Sequence, residues 1–247
     1  MMTKNKFTLV ICRYHVVLVI AAVLIFWGIA VASRDAEFLS LPLHRYPYRI
    51  ALTFDDGPHE GYTGRLISVL GRANVPATFF VVGSCLEQRP ELARSLREHG
   101  HELGGHTMTH RNLCRLSERE IGAELSRTRE LMRSQCGSES LLFRPPGGRY
   151  DEKVLAVARK LGLSLVLWTV FPRDHEENDP EMIVQRVLEQ ADDGGIILLH
   201  SGRQPTIEAL PRIITALRQR GYRFVTVSEL MKGSVPGAKH YAKIIRN

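Results

Sequence analysis

Seven short apolar segments alternate with helical patterns, and this alternation restricts the chain to a parallel α/β architecture. The strand candidates lie at 50–55, 77–82, 102–105, 142–144, 164–170, 195–200 and 223–227. Between them, apolar residues recur at helical spacing near 63–73, 90–99, 117–134, 152–161, 180–190 and 206–220. Parallel strands need crossover connections of this length, and helices supply them. Ser117 followed by Glu120 predicts a capping box at the start of the third helical segment. Gly100, Gly162 and Gly221 follow helical segments where a left-handed cap belongs. A doubly wound sheet and an incomplete (β/α) barrel both fit the alternation. No GxGxxG or GxxxxGK[ST] follows the first strand, so nothing marks a nucleotide site.

Five of these segments run into residues that carry chemistry. The first ends at Asp55 and Asp56 and then turns through Gly57, Pro58 and His59. Ligands of α/β folds bind at the carboxyl ends of strands, so two carboxylates there stand at a mouth. The same residues also make an ordinary solvated turn, and partners elsewhere must decide between the readings. The third strand is followed by His106 and His110, four apart, a spacing that on one face of a helical turn suits chelation of one metal ion. Together with a carboxylate they form a three-ligand set with an open position, the layout of a catalytic zinc.

After the fourth strand comes Arg144-Pro145-Pro146-Gly147-Gly148, a rigid turn with free backbone N–H groups. Arg144 keeps its charge and can fork to a carboxylate. The fifth strand, through Trp168, runs into Asp174 and His175, and the sixth ends in Leu198, Leu199 and His200. Ser201 raises a serine hydrolase as an alternative, but no G-x-S-x-G is present.

With these five segments in view, the chain resembles the polysaccharide deacetylases of the NodB-homology type, carbohydrate esterase family 4, over residues 50–227. TFDDGP, HTMTH and the LLH strand match specifically; RPPGG and the Asp174 segment match more loosely. The resemblance implies an irregular (β/α) barrel of about seven parallel strands. It implies that Asp56, His106 and His110 hold a divalent metal, zinc first, with cobalt, manganese or nickel as alternatives. Asp55 would be the general base toward the attacking water, and His200 the general acid for the departing amine. Arg144 would hold Asp55, Asp174 would hold and tune His200, Leu198 would wall the acetyl pocket, and the Gly147 N–H would help bind the oxyanion. Two positions depart from the family pattern: Gly147 and His175 stand where aromatics are usual. Trp168 is the aromatic nearest to them in sequence, and with Gly147, Leu198 and His175 it completes the expected substrate-contacting set.

The implied function is metal-dependent removal of acetyl groups from N-acetylated sugars of an extracytoplasmic polysaccharide: peptidoglycan, a chitin-like chain or an exopolysaccharide. The alternatives are an O-acetyl esterase on xylan or another glycan, and a catalytically silent glycan-binding module. Amide hydrolysis needs a nucleophile, carbonyl polarisation, oxyanion stabilisation and leaving-group protonation, and one group in the set covers each.

The flanks set the expected location. Residues 16–32 are an unbroken apolar run, with Lys4, Lys6 and Arg13 on its N-terminal side. Such a run covers most of a bilayer core, and the positive-inside rule leaves the following domain outside the cytoplasm. Cleavage near Ala32 as a signal peptide would secrete the same domain. The expected organisation is a basic end and membrane segment at 1–33, a linker at 34–48, the catalytic domain at 49–233 and a basic tail at 234–247. The formal net charge of +7 is concentrated at the two ends. No basic helix with interleaved aromatics appears, so no nucleic-acid partner is expected. Cys12, Cys85, Cys114 and Cys136 form no CxxC pair and read as free thiols, although one disulfide among them fits the count.

Overall fold

The computed structural model describes residues 48–232. The apolar run at 16–32, Cys12, the linker before Tyr48 and the tail at 234–247 lie outside the described residues. No helix among the described residues is long and apolar enough to cross a membrane.

One parallel sheet organises the chain. Its strands are β1 (Tyr48–Asp55), β2 (Thr78–Val81), β3 (Glu102–Gly105), β4 (Leu142–Phe143), β5 (Ser164–Leu165), β6 (Gly195–His200) and β7 (Tyr222–Phe224). The order is β5-β4-β3-β2-β1-β6. β6 runs along one edge of β1 from Ile50 to Asp55, while the other edge is shared, first by β7 opposite Tyr48–Ile50 and then by β2 opposite Thr53 and Phe54. The helices are α1 (Thr63–Arg72), α2 (Gly83–Gln88), α3 (Pro90–Glu98), α4 (Glu118–Cys136), α5 (Glu152–Lys160), α6 (Pro180–Gln190), α7 (Gln204–Gln219) and α8 (Val227–Lys232). Ser117 makes its capping box with Glu120 at the start of α4. Gly100, Gly162 and Gly221 all have positive φ.

The structure departs from the expected elements in three places. Residues 164–170 are not one strand: β5 stops after pairing Leu165 with Phe143, and Val170 instead bridges Ile197 of β6. Thr169 and Val170 donate to the Ile196 carbonyl, and Leu198 donates back to Val170. The segment therefore passes from one edge of the sheet to the other and curls the sheet toward a barrel. The last strand ends at Phe224, because Thr226 and Glu229 cap each other and start α8. α2 was not expected from its six residues; Leu86 packs in the core, and its first residue, Gly83, lies where a Cβ would come 2.5 Å from the Met108 Sδ. Cys85, Cys114 and Cys136 are free.

The period of two along the strands separates two cores. Ile50, Leu52 and Phe54 of β1 pack outward with Phe79, Ile197 and Leu199 beneath the helices. Ala51, Phe80, Leu142, Val166 and Ile196 fill the inner face. Thr53 and Asp55 continue the inner face of β1, opposite Leu198 and His200 in register. The alternation that builds the core thus also directs the polar ends of β1 and β6 to the same mouth.

His101, just before β3 at the far end of the strands from that mouth, is 6% exposed, and neither ring nitrogen has a hydrogen-bond partner among the described residues. Burial, with a smaller contribution from His99, pushes its pKa down from 6.5 to about 4. The unfolded chain therefore binds a proton that the folded chain refuses, and stability present above pH 6.5 is lost as pH falls toward 4. Thermal unfolding between pH 7 and 5 should show this loss, about 2 kcal/mol from this group. His101→Phe, which keeps the contact with Phe79, should flatten the dependence by that amount; an unchanged slope would show that His101 does not carry it.

Candidate active site

The site begins with Arg144, which is fully buried and lies immediately after β4. Its Nη1 donates to Asp55 Oδ1 at 2.7 Å and to Thr53 Oγ1 at 2.8 Å. Nε and Nη2 donate to the carbonyls of Val166 and Leu167, both at 3.2 Å. The guanidinium also lies 4.1 Å from the centre of the Phe80 ring. That ring fits because residue 104 is glycine; a Cβ there would come within 2.6 Å of it. Burial lowers the Arg144 pKa and Asp55 opposes the shift, but an arginine keeps its charge in either case. Asp55, itself buried, is thus held at one oxygen and turned by the pleat into the mouth.

Asp56 leaves the strand. Its φ of 76° bends the backbone so that its side chain diverges from that of Asp55. Its Oδ1 lies 3.5 Å from His106 Nε2 and 3.2 Å from His110 Nε2. Burial alone would raise the Asp56 pKa, but the hydrogen bonds to His106 and His110 outweigh it and hold the carboxyl well below its usual range. The hydrogen bond to Asp56 raises the His110 pKa in turn. His106 Nδ1 donates to the Arg144 carbonyl at 2.7 Å, which leaves Nε2 facing Asp56. Fixing the remote ring nitrogen is how proteins aim a metal-ligating imidazole. Asp56, His106 and His110 can hold one metal ion, with donor atoms within 4.8 Å of one another.

These histidines do not sit on a helical turn, as their spacing suggested. The chain from His106 to His110 is a bent loop with positive φ at Thr107 (65°) and His110 (57°). What shapes it is Glu124 of α4, a buried carboxylate that the sequence reading passed over. It accepts from the Thr109 N–H at 2.8 Å and from the Thr109 hydroxyl. The signal was a glutamate on the apolar side of an amphipathic helix, one residue before Leu125.

Across the mouth, His200 Nδ1 bonds Asp174 Oδ1 at 2.7 Å. Asp174 Oδ2 accepts from the His200 N–H at 2.8 Å and from Thr206 Oγ1 at 2.7 Å, so a fully buried carboxylate is saturated. Burial would lower the His200 pKa, but the bond to Asp174 outweighs it and raises the pKa above the ordinary value. Ser201 is buried and donates its hydroxyl to the Asp55 carbonyl at 2.8 Å, with His59 Nδ1 3.1 Å from its oxygen. It ties the two strand ends together and presents no exposed nucleophile.

The remaining expected residues lie near these groups in sequence or register. Leu198 is buried two residues before His200 on the same face. Trp168 lies over Arg144 at 5.7 Å, and its ring occupies the space a Cβ on Gly148 would need. From Trp168 a ladder of rings leads to His200: Phe171 at 5.6 Å, then His175 stacked on Phe171 at 5.5 Å, then His200 at 5.1 Å from His175. Phe171 was missed in sequence; Gln190 pins it through both its N–H and its carbonyl. Gly147 is exposed with φ 60°, and its N–H makes none of the bonds of its turn.

A family model described as polysaccharide deacetylase matches residues 45–166. The chain is 38% identical over 188 residues to a peptidoglycan-N-acetylglucosamine deacetylase of Bacillus cereus, covering 74% of this chain and 88% of that protein. It is 37% identical over 187 residues to a chitooligosaccharide deacetylase of Sinorhizobium fredii, covering 70% and 87%. The solved structure of peptidoglycan deacetylase PdaC from Bacillus subtilis superposes with a TM-score of 0.71 at 34% identity, covering 75% of this chain and 90% of that one.

Removing Glu124 leaves the loop between the two histidines without its anchor. Glu124→Ala should weaken binding of Zn2+ about tenfold or more, read by competition with a chromophoric chelator. Circular dichroism should show the fold retained. A change below about twofold would show that the loop aims its histidines without Glu124.

Proposed function

The chain belongs to the polysaccharide deacetylase family and is a polysaccharide N-deacetylase, and we propose that it acts on the N-acetylglucosamine of peptidoglycan, outside the cytoplasm and with a divalent metal. The observation that carries this reading is the pairing across β1 and β6: a base held by Arg144 and an acid held by Asp174 face one mouth, beside a three-ligand group. The peptidoglycan deacetylases among its relatives support the substrate. The apolar run at 16–32 with its basic flank supports export and tethering.

Asp56, His106 and His110 would hold the ion, and the nitrogen and carboxylate donors suit zinc. Such an ion polarises a carbonyl and makes water a better nucleophile near neutral pH. Asp55 Oδ1 is committed to Arg144, so Oδ2, on the His106 side at 3.7 Å, is the atom that takes the proton from the attacking water. His200, with Nδ1 committed to Asp174, uses Nε2 to protonate the departing amine. The exposed Gly147 N–H is a donor for the oxyanion, and Leu198, Trp168 and His175 border the acetyl group and sugar. The C–N bond of the acetamido group breaks, water supplies the acetate oxygen, and the glycan keeps a free amine.

Acetate release from peptidoglycan, chitin oligomers and acetylated xylan, measured side by side, tests the proposal. Release from the N-acetylated glycans should stop with a chelator, and Asp55→Asn should lower kcat by roughly a thousandfold or more. Faster release from xylan would make the chain an O-acetyl esterase; none from any substrate would leave a silent module. The tuning of the acid has its own signature. Asp174 raises the His200 pKa, and the reaction needs His200 protonated, so Asp174→Asn should move the alkaline limb of kcat/KM to lower pH by about one unit or more. A limb that stays in place would mean that another group donates the proton.

A further inference from the structure

The turn after β4 carries a cation that the mechanism does not use. Residue 147 has no side chain, and Arg149 lies within contact distance of where one would begin: a Cβ on residue 147 would lie 3.5 Å from Arg149 Nη1, 3.6 Å from Cζ and 3.9 Å from Nε. Arg149 is exposed, and its guanidinium has no hydrogen-bond or ion-pair partner among the described residues. Three other arginines near the mouth are committed. Arg144 is bound to Asp55, Arg111 faces Glu120 at 3.7 Å, and Arg203 bonds the Asp174 and Glu177 carbonyls and Asn178. The Arg149 guanidinium thus lies beside Gly147, whose N–H is the proposed oxyanion donor, in a turn where the Trp168 ring covers Gly148.

We propose that Arg149 determines specificity by binding a carboxylate carried on, or next to, the sugar that is deacetylated. The inference rests on the deacetylase reading above and sharpens its substrate to an anionic glycan. A planar guanidinium with five donors matches a carboxylate in a two-point contact, and a charge-assisted bond of this kind is stronger than one between neutral groups. With glycine at 147 no side chain of that residue packs on the guanidinium, which even a Cβ there would touch. The contact is made to a part of the substrate that does not react, so it acts on which glycan is bound rather than on the bond broken.

The test compares kcat/KM for acetate release from two soluble substrates: N-acetylglucosamine oligomers, which are neutral, and peptidoglycan strands bearing free carboxylates. In the full-length chain the ratio should favour the anionic strands and shrink as salt is raised. Arg149→Ala should lower that ratio about tenfold, about 1.4 kcal/mol, and Arg149→Lys should restore part of it. Strands whose carboxyl groups have been amidated should respond to Arg149→Ala no more than the neutral oligomers do. The proposal is overturned if Arg149→Ala changes both substrates alike, or if its effect persists on the amidated strands. Absence of acetate from both substrates would instead sink the deacetylase reading, and the two failures are distinguishable.

Discussion

The buried ion pair of Arg144 and Asp55 is the constraint around which the site is arranged. Arg144 heads the largest fully buried side chains of the described residues, ahead of every phenylalanine among them. Desolvating a guanidinium and a carboxylate costs several kcal/mol per ion unless every donor is met. Here the charge is met by Asp55 and the remaining donors by Thr53, Val166 and Leu167, while Phe80 covers the cation's face. Those partners come from β1, β2 and the segment leaving β5. Truncating one partner would leave an uncompensated charge in the interior, so the inner face tolerates little variation at this layer.

The same residue also reaches the ligand group. The Arg144 carbonyl accepts a hydrogen bond from His106 Nδ1, so one residue orients Asp55 through its side chain and an imidazole through its backbone. The opposite wall repeats the logic with Asp174, which holds His200 by its ring and by its N–H. Between the two walls the backbone is forced into uncommon conformations. Asp56, Thr107, His110 and Arg173 have positive φ without being glycine, and such residues persist only where the surroundings over-determine them. All four lie within the segments that form the mouth.

Much of this was legible in the chain. The polar ends of β1 and β6, the His106 and His110 spacing and the arginine after β4 are visible because strand ends are short and chemically marked. How the sheet curls was not legible in local pattern, although the family resemblance implied a barrel. Residues 164–170 read as one apolar strand, and nothing local says that Leu165 pairs with Phe143 while Val170 pairs with Ile197. Glu124 and Phe171 were missed for a related reason: each acts on a residue distant in sequence or through backbone atoms, and side-chain pattern carries no record of that.

Residue order alone determined the parallel α/β class, the handover of five strand segments to polar residues and the identity of the side chains gathered at the mouth, because periodicity and residue type are local properties. Tertiary structure decided how those groups are used. Asp55 and Asp56 are chemically the same and adjacent; what separates them is a φ of 76° at Asp56, a guanidinium in the barrel interior and two imidazoles on a loop pinned from α4. Ser201, equally suggestive in sequence, became a strut because its hydroxyl meets the Asp55 carbonyl. Position in the low-dielectric interior, which no local pattern encodes, assigns each polar group its partner and so its role.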